Sequence, residues 1–496
     1  MASTTSLRRP GTFHISPEKE IYGELTLARA KSRLYLHSQE HFDLRNISGC
    51  LHGTLLDLSK VSLIDCVTPP VPGSSRGDRG QYYFADVFPH FVLEGDEHLD
   101  PGEAKVTGIH FLIGDATTLF YDFDAFSMVP DARLLIDQVV AAQSHNREVI
   151  TGPEPQIFYF TGKQQIFASE TVFGAVQATH NPKIKFPGPS GLQLHNQIFV
   201  SIAFQEGIVF GEAMRRVTHL VNYLGMLVGR PQILRDIYVE LRNASDVPTV
   251  LHVYWTMAPK RRRSYRDGKP HPGDILLDAV HYWELFSCMM ANWLARQDTW
   301  NDARFRFFTS FAKQRHYDID RLVGSANMFD LLPSTAVPTT LELSGELQHA
   351  KAEAKRIFEA LPLSAERDSI LSSLGRLGKS SLKHKVRYRA QVLTDAAGTL
   401  FHDILIVTDE AVNCRNYYVH GSEPRFDYNR NFDAVVFFTD TLEFVFAASD
   451  LIEAGWDIKM WAKRPKGATH PFGRYLLNFP NQLQTLKDLL PRKQCQ

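Results

Sequence analysis

The sequence predicts an α+β protein, with a β-rich N-terminal domain of sandwich or barrel-like form followed by an all-α helical C-terminal domain. Three observations lead there. Between residues 21 and 210, short apolar runs such as CLHGTLLDLSKVSLIDCV and QYYFADVFPHFVLEG are separated by Gly, Pro and Asp, the pattern of antiparallel strands. After Gly207 the period lengthens, and GIVFGEAMRRVTHLVNYLGMLVG repeats apolar residues at helical intervals. From Ile275 onward almost every periodic segment is helical. A chain of 496 residues exceeds one hydrophobic core. The changes of pattern divide it into a β-rich domain over 1–206, a mixed connecting region over 207–270 and a helical domain over 271–496.

In order along the chain, ELTLARAKSRLYLHS opens the strand-like runs and VTGIHFLIGDATTLFYDF follows QYYFADVFPHFVLEG. Pro69-Pro70, Pro72-Gly73 and the run Ser74 to Gly77 supply turns between them. QIFYFTG, KQQIFASE and NQIFVSIAF complete the β-rich half, and LHVYWTM (251–257) adds one more strand. Helices are expected over 275–296, within 301–315, at AEAKRIFEAL, over 395–420 and near 434–450.

Charge and cysteine content exclude several classes of protein. Lys plus Arg number 54 against 55 Asp plus Glu, a net charge of −1, which excludes a wholly basic nucleic-acid coat but leaves room for a local basic groove. The five cysteines are scattered and form no C-x-x-C pair, arguing against a disulfide scaffold or a cysteine zinc site. No glycine-rich phosphate loop follows a strand, and neither His271 nor His316 has a partner at metal-ligand spacing, so no cofactor and no metal are expected. The N-terminus lacks a signal-peptide core and no run approaches the length of a membrane span. A cytoplasmic protein without a membrane segment is the expectation.

The most informative stretch is TDAAGTLFHDILIVTDEAVNCRNYYVHG, residues 394–421. Thr394 or Asp395 is placed to cap a helix that Gly421 would end. Phe401, Ile404, Leu405, Thr408, Ala411 and Val412 recur on an apolar stripe that Arg415 then interrupts. Asp409, Asn413, Asn416 and His420 define a second face, while Arg415 and His420 lie roughly 140° apart around an ideal helix. Arginine is long enough to curl around a phosphate held near that imidazole. A helix C-terminus also supplies a field that favours imidazolium. The three residues Arg415, Asn416 and His420 thus offer a phosphate clamp, an orienting amide and a proton-transfer group. A histidine near a helix end also serves as a plain cap; the arginine in the apolar stripe adds weight to function, but by spacing alone the plain reading stays ahead of catalysis. Asp409 and Asn413 either support His420 or form a solvated face.

RNYYVH, from Arg415 to His420, resembles the R-N/H/D-x-x-x-H signature of HEPN ribonucleases, and CRNYYVHG resembles the ApeA-type HEPN domain. The front half, through GELTL and LHGTLLDLSKVSLIDC, is similar to the β-rich domain found with it in the ApeA-like family of anti-phage proteins. The resemblance implies a metal-independent endoribonuclease acting in abortive defence, in which a 2′-hydroxyl attacks the adjacent phosphorus to leave a 2′,3′-cyclic phosphate and a 5′-hydroxyl. It implies His420 as the proton-transfer group, Arg415 as the stabiliser of phosphoryl charge and Asn416 as an orienting or substrate-binding residue. The implied partners are an RNA substrate, with tRNA a candidate, a second copy of the chain in a homodimer or higher even-numbered assembly, and a phage protein as trigger. The competing reading is a noncatalytic sensor or dimeric scaffold. It would be favoured by an Arg415 tied up in a salt bridge and a buried His420.

A second signal is the basic loop PKRRRSYRDGK. Lys260, Arg261, Arg262, Arg263, Arg266 and Lys269 are opposed there only by Asp267, and Tyr265 is available to stack on a base. The loop is read as RNA-binding, against a purely solubilising role. A weaker cluster comprises Lys379, Lys383, Lys385, Arg387 and Arg389. Replacing Arg261, Arg262 and Arg263 with alanine should weaken RNA binding more at low salt than at high salt. Identical binding by variant and parent across a salt titration would remove the loop from the RNA-binding surface.

Overall fold

A computed structural model describes residues 7–45, 47, 49–78, 80–122, 124–143, 151–186, 188–242, 248–259, 268–338 and 343–491. The chain divides into two units, Met1–Leu294 and Ala295–Gln496. The first carries the strands β1 (Leu7–Ser16), β2 (Lys19–Leu27), β3 (Arg33–Ser38), β4 (Cys50–Leu55), β5 (Lys60–Ile64), β6 (Gly73–Gly77), β7 (Gly80–Val87) and β8 (Phe91–Gly95). They are followed by β9 (Val106–Ile113), β10 (Phe126–Val129), β11 (Ile157–Phe160), β12 (Gln165–Thr171), β13 (Gly174–Lys185), β14 (Gln193–Ile208), β15 (Leu234–Leu241) and β16 (Thr249–Trp255). Its helices are α1 (Ala116–Leu119), α2 (Arg133–Gln143), α3 (Phe210–Val228) and α4 (Trp283–Ala295).

Among the described residues the strands pair antiparallel throughout. One large sheet runs β12-β13-β14-β9-β15-β16-β8-β5-β4-β1-β2-β3-β7-β6, and β10 pairs with β11 apart from it. The sheet changes its buried face midway. From β8 to β7, Phe13, Leu25, Leu36, Leu51, Leu63 and Val92 form one core with Phe42 and Leu44. On the β9 side, α3 packs against β9 and β14. At the junction β5 is apolar on both sides, with Val61, Leu63 and Ile64 buried together with Ser62, whose hydroxyl accepts the Leu99 N–H at 2.9 Å. Next to it Phe91 meets Phe210 of α3 edge-on at 5.2 Å. The segment 207–270 forms α3, β15 and β16, and the two strands lie inside the sheet between β9 and β8.

The second unit is helical: α5 (Gln297–Phe311), α6 (Ile319–Asn327), α7 (Gly345–Glu359), α8 (Ala365–Arg376), α9 (Leu382–Ala397), α10 (Ile404–His420), α11 (Phe432–Glu453), α12 (Ile458–Lys463) and α13 (Pro471–Leu489). α11 is its axis, packed against α5, α6, α9, α10 and α13, with Phe437, Leu442, Phe444, Phe446 and Leu451 buried. Two charged residues on it, Glu443 and Asp450, are buried as well, and Glu453 at its exposed end pairs with a buried arginine. Arg304 bonds Asp450 twice at 2.9 Å, Arg321 bonds Glu443 twice at 2.8 Å, and Arg389 pairs with Glu453. Among the described residues no helix is long and apolar enough to cross a membrane.

Two helix expectations are corrected. The segment over 275–296 is helical only from Trp283, because the Asp278 carboxylate accepts the Val280 and His281 N–H groups in a local turn. The helix expected over 395–420 is split: α9 ends at Ala397, a 3-10 turn spans Gly398–Phe401, and α10 starts at Ile404 after Asp403 at φ 61°. Leu405, expected in the core, is 37% exposed.

Tyr317 donates to Asp440 at 2.6 Å, and burial pushes that carboxyl up to about 6. A raised carboxyl binds its proton more tightly in the folded state. Stability should therefore fall as pH rises from about 4 to 6 and level off above. Asp440→Asn keeps the acceptor oxygen and should flatten that slope, for a gain on the order of 3 kcal/mol at pH 7. Denaturant unfolding of both proteins from pH 4 to 7 measures it; parallel curves would refute the assignment.

Candidate active site

The last turn of α10 carries the candidate site. Ile404, Val407, Thr408, Ala411, Val412 and Cys414 bury one side of the helix, and Gly421 ends it at φ 66°, a left-handed conformation suited to glycine, with its N–H donating to the Tyr417 carbonyl. The helix therefore stops one residue after His420 and leaves that imidazole exposed. Arg415 and Asn416, one turn earlier, are half-buried.

The three side chains meet. Arg415 Nη1 donates to Asn416 Oδ1 at 3.0 Å and contacts His420 Nε2 at 2.9 Å. Guanidinium has only donors, so Nε2 accepts; the ring in this arrangement is neutral and carries its proton on Nδ1. Arg415 Nη2 donates to Asn327 Oδ1 at 3.0 Å. Asn327 is the last residue of α6, and sequence reasoning missed it. It lies 88 residues from Arg415 in the unremarkable string SANMFD, and no local signal marks it.

Asp409 and Asn413 lie on α10 but bond elsewhere. Asp409 pairs with Arg387 and, at 3.4 Å, with Lys383; Asn413 donates to Glu410 at 3.2 Å. Glu410 is buried, which raises its carboxyl pKa, and it lies 3.3 Å from Arg425. Tyr417 and Tyr418 pack near Tyr428, and Tyr418 donates to Asn429 at 2.9 Å, so the segment beyond Gly421 folds back on α10. Burial pushes the Tyr418 hydroxyl up to about 12.

Of the weaker basic cluster, Lys383 and Arg387 serve Asp409, Lys385 pairs with Asp330, and Arg389 is fully buried. The loop residues Lys260, Arg261, Arg262, Arg263, Tyr265 and Arg266 lie outside the described residues. Among the described residues, no group of three or more His, Cys, Asp or Glu side chains is arranged to hold a metal ion.

Two family models match the chain. One described as ApeA N-terminal domain 1 matches residues 5–282, more than half of the chain, and one described as Apea-like HEPN matches residues 323–459, which include Asn327 and the last turn of α10. No curated protein and no solved structure matches.

The hydrogen bond into Nε2 makes a spectroscopic prediction. In ¹⁵N NMR at a pH where the ring is neutral, His420 should show the Nδ1–H tautomer, and Arg415→Ala should shift it toward Nε2–H. A wild-type ring already protonated on Nε2 would mean that Arg415 does not donate there.

Proposed function

Because the chain belongs to the family defined by ApeA N-terminal domain 1 and carries an Apea-like HEPN unit, we propose that it is a metal-independent endoribonuclease of anti-phage defence. The HEPN match supports a ribonuclease function in general. The observation that carries the finer reading is the contact of Arg415 Nη1 with His420 Nε2, on a helix end where the imidazole is exposed. Among the described residues Arg415 has no ion pair, which counts against the noncatalytic scaffold.

The chemistry follows from these groups. A phosphate of RNA competes with His420 for the Arg415 guanidinium, and its arrival releases Nε2. The freed imidazole accepts the 2′-hydroxyl proton as the 2′-oxygen bonds to phosphorus. The P–O5′ bond breaks, and a protonated imidazole returns a proton to the 5′-oxygen. The products are a 2′,3′-cyclic phosphate and a 5′-hydroxyl. Arg415 balances charge on the phosphoryl oxygens, and Asn416 holds the guanidinium or the substrate. A second copy of the chain in a homodimer or larger even-numbered assembly supplies a second imidazole, so that base and acid are separate groups. The substrate is RNA, with tRNA the first to test; the trigger is a phage protein, the β-rich unit is the regulatory part, and the site of action is the cytoplasm.

His420→Ala should lower cleavage by about 10² to 10⁴ while leaving assembly intact. Cleavage by the wild type should persist in excess EDTA, fail at a 2′-deoxy position and leave cyclic phosphate ends. Wild-type turnover by a correctly assembled His420→Ala protein would sink the catalytic assignment. Products with 5′-phosphates that vanish in EDTA would point to metal-assisted hydrolysis.

A further inference from the structure

The helical unit treats its arginines in two ways. Arg304, Arg321 and Arg389 are buried, and each bonds a carboxylate: Asp450, Glu443 and Glu453 respectively. Arg415 is half-buried, yet its three partners are all neutral: two amide oxygens and an imidazole nitrogen. Its Nε is shielded from solvent and has no hydrogen-bond partner. Three bonds leave two of the five guanidinium N–H donors unengaged. Arg389 Nη2 is likewise shielded and without a partner, but Arg389 has its carboxylate; what sets Arg415 apart is a charge with no counter-ion among the described residues. It is what an anion would relieve.

Two of the three partners come from α10 itself, so they cannot fix Arg415 against the rest of the unit. Among the described residues only Asn327 reaches it from another helix. That position is set in turn by α6, where Arg321 and Ser325 both bond Glu443 of α11. An aspartate at 327 would place its oxygen in the same position and add a negative charge. The amide gives the same aim without that charge.

We propose that Asn327 is a positioning residue that anchors Arg415 without neutralising it, keeping the guanidinium available to an RNA phosphate. The proposal rests on the ribonuclease reading above. Neutrality at residue 327 is then a requirement of function and opposes stability. A carboxylate there would pair with Arg415, strengthen the α6–α10 contact and displace the phosphate.

The test compares wild type, Asn327→Asp, Asn327→Ala and Arg415→Ala in the full chain. The probe is a labelled 2′-O-methyl RNA oligonucleotide, which binds but lacks the attacking hydroxyl. Asn327→Asp should lose about tenfold in affinity, flatten the salt dependence by about one phosphate contact and keep or raise the melting temperature. Asn327→Ala should keep the salt dependence and lose cleavage rate. In an Arg415→Ala background, Asn327→Asp should change neither affinity nor salt dependence, because its effect runs through the guanidinium. Wild-type affinity and salt slope in Asn327→Asp would overturn the proposal. So would weaker binding that tracks a lowered melting temperature, or an equal effect of Asn327→Asp without Arg415. Failure of the ribonuclease reading is separate: equal RNA turnover by wild type and His420→Ala would reveal it whatever the Asn327 variants do.

Discussion

Arg321 on α6 and Glu443 on α11 meet through two hydrogen bonds of 2.8 Å where both are nearly closed to water. Ser325, one turn on, adds a third bond to the same carboxylate at 2.9 Å. Removing one partner of such a pair strands a buried charge and costs about 3–5 kcal/mol, so a slip of α6 along α11 is strongly opposed. Two residues beyond Ser325 the helix ends at Asn327, and its amide arrives at Arg415. α10 packs on α6 and α11 alike. The aim of the Arg415 guanidinium is therefore inherited from an ion pair that belongs to the core.

The same device recurs along α11. Asp440, Glu443, Asp450 and Glu453 are spaced by three, seven and three residues, and they engage Tyr317 just before α6, Arg321 of α6, Arg304 of α5 and Arg389 of α9 respectively. Apolar residues of similar volume often match a buried ion pair in stability, so what these pairs supply best is register. Trp300 fits this account. The guanidinium carbons of Arg296, Arg304 and Arg389 all lie between 5.1 and 5.4 Å from its ring centre, and the indole fills the space between their chains while facing them with its negative surface. A bundle whose helices are fixed by specific pairs can hold a surface arginine in one direction.

Local pattern made much of this legible. RNYYVH stands out because a cation interrupts an apolar stripe, and the reach from Arg415 to His420 follows from helix geometry and side-chain length. The β-rich front and helical back were equally readable from the change in period. What stayed hidden depends on distant partners. Asn327 has meaning only once α6 lies beside α10. β13 and β15 escaped notice because polar residues punctuate them: QATHNPK in the first and RD in the second, each paired on both sides within the sheet. The missed break before α10 has a local cause that periodicity conceals, since Gly398 and Asp403 both take positive φ while Phe401 and Ile404 remain buried in phase.

The position of the break matters to the site as much as its end does. A single helix from residue 382 to 420 would have to run straight, and α9 and α10 could not both lie against α11. The turn at Gly398–Phe401 lets them do so, with Lys487 of α13 bonded to Asp403 at 2.7 Å where α10 begins. α10 is thereby pinned at its start by Asp403, along its length by apolar burial and at residue 415 by Asn327, leaving Val419 and His420 exposed at its end. Gly421 then ends the helix at once. The imidazole stands at the exposed tip while the arginine beside it is held from behind by Asn327, and that division is what the proposed exchange of His420 for a phosphate at Nη1 relies on.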